Sequence, residues 1–203
     1  MQPPTKAQLR RQILQTRRAL PDSVRQAEEA ALKSHVATIP SLGATVCAYV
    51  PTRTEPGSPA LLDALLAAGG RVLLPVTRTT ADGTPSPLWW ADYRPGELAP
   101  AGFGLLEPTG EALPPDTIGS AATVLVPALA VDRLGVRLGR GAGFYDRSLA
   151  LRNPVAALVA VVRDDELVDE LPSEPHDVPM THALTPGAGL LTLAARSGIP
   201  ATE

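Results

Sequence analysis

Between Asp132 and Arg147 the chain alternates glycine with arginine. Gly135, Gly139, Gly141 and Gly143 are interleaved with Arg137 and Arg140, and Phe144-Tyr145-Asp146-Arg147 follow at what reads as the start of a helix. That composition suits phosphate. Glycines let backbone N–H groups approach an anion, and the first turn of a helix turns its unpaired donors toward the same place. A guanidinium can grip phosphate oxygens with two parallel hydrogen bonds. Asp146, beside such a loop, has the chemistry of a ligand to the divalent cation that accompanies nucleotide phosphates. The competing reading is a glycine-rich turn that only joins a strand to a helix, and the density of glycine and arginine weighs against it.

The common phosphate and hydrolase templates do not fit. No glycine is followed by lysine, so the P-loop pattern is absent. Gly139, Gly141 and Gly143 are spaced G-x-G-x-G and not G-x-G-x-x-G, and no serine lies in a G-x-S-x-G nucleophile elbow. Lys6 and Arg10 lie one helical turn apart with Arg17 close to the same line, which by spacing alone reads as a solvated basic face. His35, His176 and His182 are scattered without metal-ligand spacing, and Cys47 in an apolar run reads as a small buried hydrophobe.

The elements that must position these groups follow from periodicity. Thr5 can cap a helix to about Leu20 with Leu9, Ile13 and Leu20 on one stripe, and Ser23 with Gln26 forms a capping-box pattern for a second helix to about Val36. An apolar run at 44–50, a loop holding Glu55, a helix opened by Ser58-Pro59 and closed by Gly69-Gly70, and a strand at 71–76 make a βαβ unit. Further strands are predicted at 88–93, 123–131 and 155–162, with a short helix over 144–151; Leu184 and the 187–195 segment have no clear assignment. Near-continuous apolar strands suit a parallel sheet covered on both faces. The expectation is a single α/β domain over 1–203, with a mostly parallel sheet flanked by helices on both faces.

Composition narrows the function. The 203 residues carry a net charge of −3, against the basic excess of a general nucleic-acid binder. The longest apolar runs, 124–131 and 155–162, are too short to span a membrane. A single cysteine allows neither an internal disulfide nor a Cys-based metal site and fits a reducing cytosol. Residues 1–25 are Arg-rich with Asp22 as their one acid, the composition of a targeting peptide, but the helical pattern runs on into the second helix. A mature helix in a monomeric, cytoplasmic protein is the expectation.

The stretch LVPALAVDRLGVRLGRGAGFYDR (Leu125–Arg147) resembles the longest signature of the 5-formyltetrahydrofolate cyclo-ligase, or methenyltetrahydrofolate synthetase, family. Shorter matches keep the family's order: Lys6 with Arg10, Pro51–Glu55, VLLPV, Gly104–Pro108 and HDVPMTHALTP, together covering about Lys6 to Pro186. The resemblance implies an enzyme that uses ATP and Mg²⁺ to close 5-formyltetrahydrofolate to 5,10-methenyltetrahydrofolate. In that reaction ATP phosphorylates the formyl oxygen, N10 attacks, and phosphate leaves. It implies that Lys6, Arg10 and the loop Arg137, Leu138, Gly139, Arg140, Gly141, Ala142, Gly143, Phe144 and Tyr145 bind ATP. Arg140 and Tyr145 would be catalytic. Val50, Glu55, Trp90, Gly141, Gly143, Phe144 and Tyr145 would line the folate site, and Asp146 and Asp177 would hold the metal.

Several of these residues also have plainer readings. Phe144 and Tyr145 could anchor the short helix in the core, Glu55 could be an exposed loop acid, and Asp177 could be a turn former. Alternation lets only one of Trp89 and Trp90 point inward.

The chain departs from the family pattern at Ala142, where glycine is common, and at Thr181, where many relatives carry an acid. Phe103 and Glu107 follow the pattern. Thr181 motivates a rival reading, a non-catalytic folate or nucleotide binder or a paralogue with another substrate. A nicotinamide-dependent oxidoreductase has only the βαβ order in its favour.

Overall fold

The apolar runs around Val46, Val72, Val124 and Val159 have no polar face, so they become strands buried on both sides. The computed structural model describes residues 4–174 and 177–194. In chain order its regular elements are α1 (Lys6–Ala19), α2 (Asp22–Ser34), β1 (Thr45–Cys47), α3 (Pro59–Ala67), β2 (Arg71–Val76), β3 (Trp89–Asp92), β4 (Leu98–Pro100) and β5 (Leu106–Pro108). They continue with β6 (Thr123–Pro127), β7 (Ala130–Asp132), β8 (Arg137–Leu138), α4 (Phe144–Leu149), β9 (Ala157–Val161), β10 (Leu167–Val168), β11 (His182–Thr185) and β12 (Gly189–Thr192).

The main sheet has the order β12-β11-β9-β6-β1-β2-β3, parallel from β11 to β2 and antiparallel at both edges. Alternate residues of its strands enter two cores. Val46, Val72, Leu125 and Val159 join Leu32 of α2 and Leu61, Leu62 and Leu65 of α3 on one face. Cys47, Leu73, Val124 and Leu158 join Leu149 of α4 and Ile118 on the other. The mostly parallel sheet with helices on both faces is the expected one. A small sheet of β10-β7-β8 packs Leu129, Val136 and Leu138 under Leu9, Ile13 and Leu14 of α1.

Local signals placed most elements, with three differences. Thr5 and Gln8 form a capping box at α1, but α2 begins at Asp22, one residue before the expected Ser23 cap. Pro21 already supplies the fixed φ of a helix entry, and Asp22 complements the helix dipole while pairing with Arg25. The run expected as one strand over 123–131 is broken at Pro127, which has no N–H for a ladder, and Ala130–Asp132 joins the second sheet. The unassigned tail makes the β11-β12 hairpin; Ala195 and His176 lie outside the described residues.

Gly135 turns the chain from β7 into β8 with φ +85°, and a Cβ there would run into the Met180 carbonyl. Its own carbonyl accepts from Met180 N–H at 2.8 Å. Gly135→Ala is therefore expected to destabilise by about 2 kcal/mol or more, read as a lowered urea midpoint at unchanged slope.

All three tyrosines are buried to some depth, and burial raises each phenol above its ordinary value: Tyr93 is pushed up to about 12, helped by its bond to Asp63, and Tyr49 and Tyr145 are raised by burial as well. A raised native value means that the unfolded chain loses its proton first. Stability is then fully present below about pH 10 and falls above it as the unfolded phenols ionise. Urea midpoints should decline above that pH, with phenolate absorbance growing together with unfolding and not ahead of it.

Candidate active site

The strand order fixes where a ligand can bind. From β1 the chain moves through α3 to β2 on one side, whereas β6, β9 and β11 extend the sheet on the other. The order therefore reverses between β1 and β6, and the crevice beyond their carboxyl ends is where open α/β sheets take ligands. A cavity of about 330 Å³ lies there. Its walls are Tyr49, Val50, Thr52 and Glu55 after β1, Pro75 and Thr77 at the end of β2, Pro127–Leu129 after β6, and Arg137 with the 139–146 loop. The break at Pro127 is what turns residues 127–129 into a wall.

The cavity's charges are paired across it. Arg140 Nε donates to Glu55 at 3.0 Å, and its Nη2 donates to the hydroxyls of Thr52 and Thr54. Glu55 in turn accepts from the N–H and hydroxyl of Thr52, at 2.8 and 2.9 Å. Glu107 repeats the device one strand over, accepting from the N–H and hydroxyl of Thr77 at 2.8 and 2.6 Å. Arg137 pairs with Asp146 and sits beside the Tyr145 ring; burial presses its pKa down, and Asp146 opposes that. The Tyr145 hydroxyl is buried without a hydrogen-bond partner among the described residues, and burial keeps it protonated, so it can donate to a bound acceptor. Phe103, 74% exposed and with φ +60°, meets Phe144 edge to face at 5.9 Å over the same cavity.

The structure gathers Val50, Glu55, Arg137, Gly139, Arg140, Gly141, Ala142, Gly143, Phe144, Tyr145 and Asp146 around this one space. Gly141 and Gly143 take positive φ, and Ala142 does not, so a methyl group costs its backbone nothing. Arg10 reaches the loop from α1, its Nε donating to the Gly139 carbonyl at 2.9 Å, but it does not line the cavity. Lys6 lies between Glu174 and Asp177, each at 3.3 Å. Asp177 also accepts from the Glu174 N–H, as a turn former does, and it too is absent from the lining.

Several of these expectations need correction. Trp90 does not face the cavity: it is fully buried in the core that Phe144 and Tyr145 border, while Trp89 on the other face carries the Arg78 guanidinium. The side chain of Leu138 is a core residue under α1. A strand's alternation tells that one tryptophan points inward but not whether inward means core or ligand. Arg17, read as part of a solvated face, is 1% exposed and bound by both oxygens of Glu166. Thr181 bridges to the N–H and carbonyl of Leu158 and does not line the cavity, so the departure there gives no reason to expect another substrate. Tyr49, Thr52 and Thr77 were not singled out in the sequence; the Thr-x-x-Glu spacing of Thr52 and Glu55 was the one available signal.

Among the described residues no cluster of three His, Cys, Asp or Glu side chains stands ready to hold a metal, and no helix is long and apolar enough to cross a membrane.

Comparison with known proteins identifies a family for the chain. The model of the 5-formyltetrahydrofolate cyclo-ligase family matches residues 2–186. The chain is 58% identical to a 5-formyltetrahydrofolate cyclo-ligase of Mycolicibacterium smegmatis over 193 residues, covering 95% of this chain and 100% of that protein. It is 30% identical to the one of Escherichia coli K12 over 178 residues, covering 86% and 96%. The NMR structure of Aquifex aeolicus 5,10-methenyltetrahydrofolate synthetase superposes with a TM-score of 0.73 at 25% identity, covering 98% of this chain and 96% of that one. A 5,10-methenyltetrahydrofolate synthetase from Mycoplasma pneumoniae shares the fold, with a TM-score of 0.65 at 22% identity over 86% and 94% of the chains. With the family model spanning nearly the whole chain and its signature loop lining the crevice, this chain belongs to the 5-formyltetrahydrofolate cyclo-ligase family of enzymes.

Proposed function

We propose that the protein closes 5-formyltetrahydrofolate to 5,10-methenyltetrahydrofolate at the expense of ATP: the formyl oxygen takes the terminal phosphoryl group, N10 attacks the activated carbon, and phosphate departs. The observation that carries this reading is the meeting of Arg140 with Glu55 at 3.0 Å across one cavity. Arg140 belongs to the glycine loop suited to phosphate, and Glu55 offers a carboxylate suited to the paired N–H donors of a pterin. Donor and acceptor would thus lie side by side, and phosphoryl transfer needs little from the protein beyond such positioning and charge neutralisation. Val50, Phe144 and Tyr145 would flank the folate, while Arg137, Gly139 to Gly143 and, from α1, Arg10 and Lys6 would hold the nucleotide.

Mg²⁺ fits the residues present, because it commonly takes one or two carboxylates and completes its shell with phosphate and water. Asp146 lines the cavity and would be the first ligand; Asp177, held by Lys6, would be the second. The ion would neutralise phosphate charge. We further propose a monomeric, cytoplasmic enzyme whose partners are the reduced folate and ATP.

The test mixes purified protein with ATP, Mg²⁺ and 5-formyltetrahydrofolate and follows the near-ultraviolet absorbance of the methenyl product; a flat trace overturns the reading. Tyr145→Phe refines it. Removing a buried, unpartnered hydroxyl should leave stability unchanged or raise it by about 1 kcal/mol. Loss of a donor that pairs only with bound ligand should lower kcat/KM at least tenfold, on the order of 1.4 kcal/mol.

A further inference from the structure

Behind the wall made by Ala128 and the Thr52–Glu55 loop lies a second group of charges that the reaction does not touch. Arg17, Arg163 and Glu166 are 1%, 5% and 5% exposed, and Glu28 closes the group from α2. Glu166 is the hub. It takes Arg17 Nε at 2.6 Å and Nη2 at 2.7 Å, and the backbone N–H of Arg163 at 2.8 Å. Arg163 Nε donates to Glu28 at 2.8 Å.

Such a group is a poor way to gain stability, since desolvation of buried ions roughly cancels their attraction and apolar side chains would fill the space as well. What apolar side chains could not do is donate hydrogen bonds to the cavity wall. Two arms of the network do so. Arg17 Nη2 donates to the Ala128 carbonyl at 2.7 Å, and Arg163 Nη1 donates to the Thr54 carbonyl at 3.2 Å. Ala128 lines the cavity, and Thr54 lies between the lining residues Thr52 and Glu55. Arg140 reaches the hydroxyls of Thr52 and Thr54 from its own loop, which Arg10 holds separately at the Gly139 carbonyl, so the Thr54 backbone bears first on Glu55.

We propose that Arg163 and Arg17 are positioning residues that hold the Glu55 loop and the Ala128 wall in register through Glu166, Arg163 thereby governing affinity for the folate. The proposal rests on Glu55 being the folate-binding carboxylate. A guanidinium can reach Glu28 and Thr54 at once because its donors form a rigid fork, and an ammonium cannot.

The test is Arg163→Lys in the full-length protein, which keeps the charge and removes the fork. With both substrates varied, KM for 5-formyltetrahydrofolate should rise about tenfold or more, as small misplacements of a binding group do, while KM for ATP stays within about twofold. In the protein without substrates, amide exchange of residues 52–55 should quicken about tenfold, with α3 unchanged. A variant that merely loosened the fold would raise both KM values and speed exchange throughout. Should Arg163→Lys fail to fold, Glu28→Ala, which removes only the acceptor on the Nε side of the fork, is expected to show the same pattern at roughly threefold. A folded variant with wild-type folate KM and wild-type loop exchange overturns the proposal, as does an equal rise in both KM values. A wild-type protein without turnover would overturn the assigned reaction instead, and the exchange pattern would still judge the clamp.

Discussion

Arg140→Ala is expected to lower kcat by about 10³ to 10⁵, the range known for arginines that neutralise a transferring phosphoryl group, and to leave the fold intact. The side chain is 45% exposed and its ion pair with Glu55 lies at the cavity mouth, where such pairs contribute about 1 kcal/mol or less to stability. Activity and stability should therefore part company: a melting curve close to wild type, with methenyl product barely above background. Arg140→Lys should recover little, because one ammonium cannot replace two parallel donors. Turnover within tenfold of wild type would remove Arg140 from the chemistry.

Glu166→Ala should be strongly destabilising. It would leave the buried Arg17, 1% exposed, with the neutral Ala128 carbonyl and without its counter-charge, and take the acceptor from the Arg163 N–H. Breaking one side of a buried ion pair costs about 3–5 kcal/mol, which in a protein of this length lowers the melting temperature by roughly 10 °C. Differential scanning calorimetry decides it, and a loss under about 1 kcal/mol would mean that Arg17 finds another partner at little cost. The contrast with Arg140 is one of solvent. Both arginines face a glutamate, but only the pair withheld from water leaves an uncompensated charge behind.

Much of the fold was legible because its signals are local. The Thr5 cap with Gln8, Ser58-Pro59 opening α3, and Gly69 closing it act within a few residues of chain. The β2 strand falls on the expected residues because a buried parallel strand writes an unbroken apolar run. The loop from Arg137 to Asp146 was equally plain, since glycine and arginine at that density serve few purposes. At Trp90 and Arg17 the sequence points the wrong way for a common reason. A ring or a guanidinium carries no mark of whether its surroundings are core, ligand or water, and that depends on chain far away in sequence.

Taken alone, the order of residues determined a mostly parallel sheet with helices on both faces and a loop chemically fit for phosphate, because periodicity and turn chemistry are short-range. Only the tertiary structure decided which charges meet. Glu55 faces Arg140, and Arg17 faces Glu166, across long stretches of chain. Those pairings follow from the reversal of strand order between β1 and β6 and from the break at Pro127. A carboxylate will accept from any guanidinium, so its partner is chosen by how the backbone is threaded and not by the residue itself.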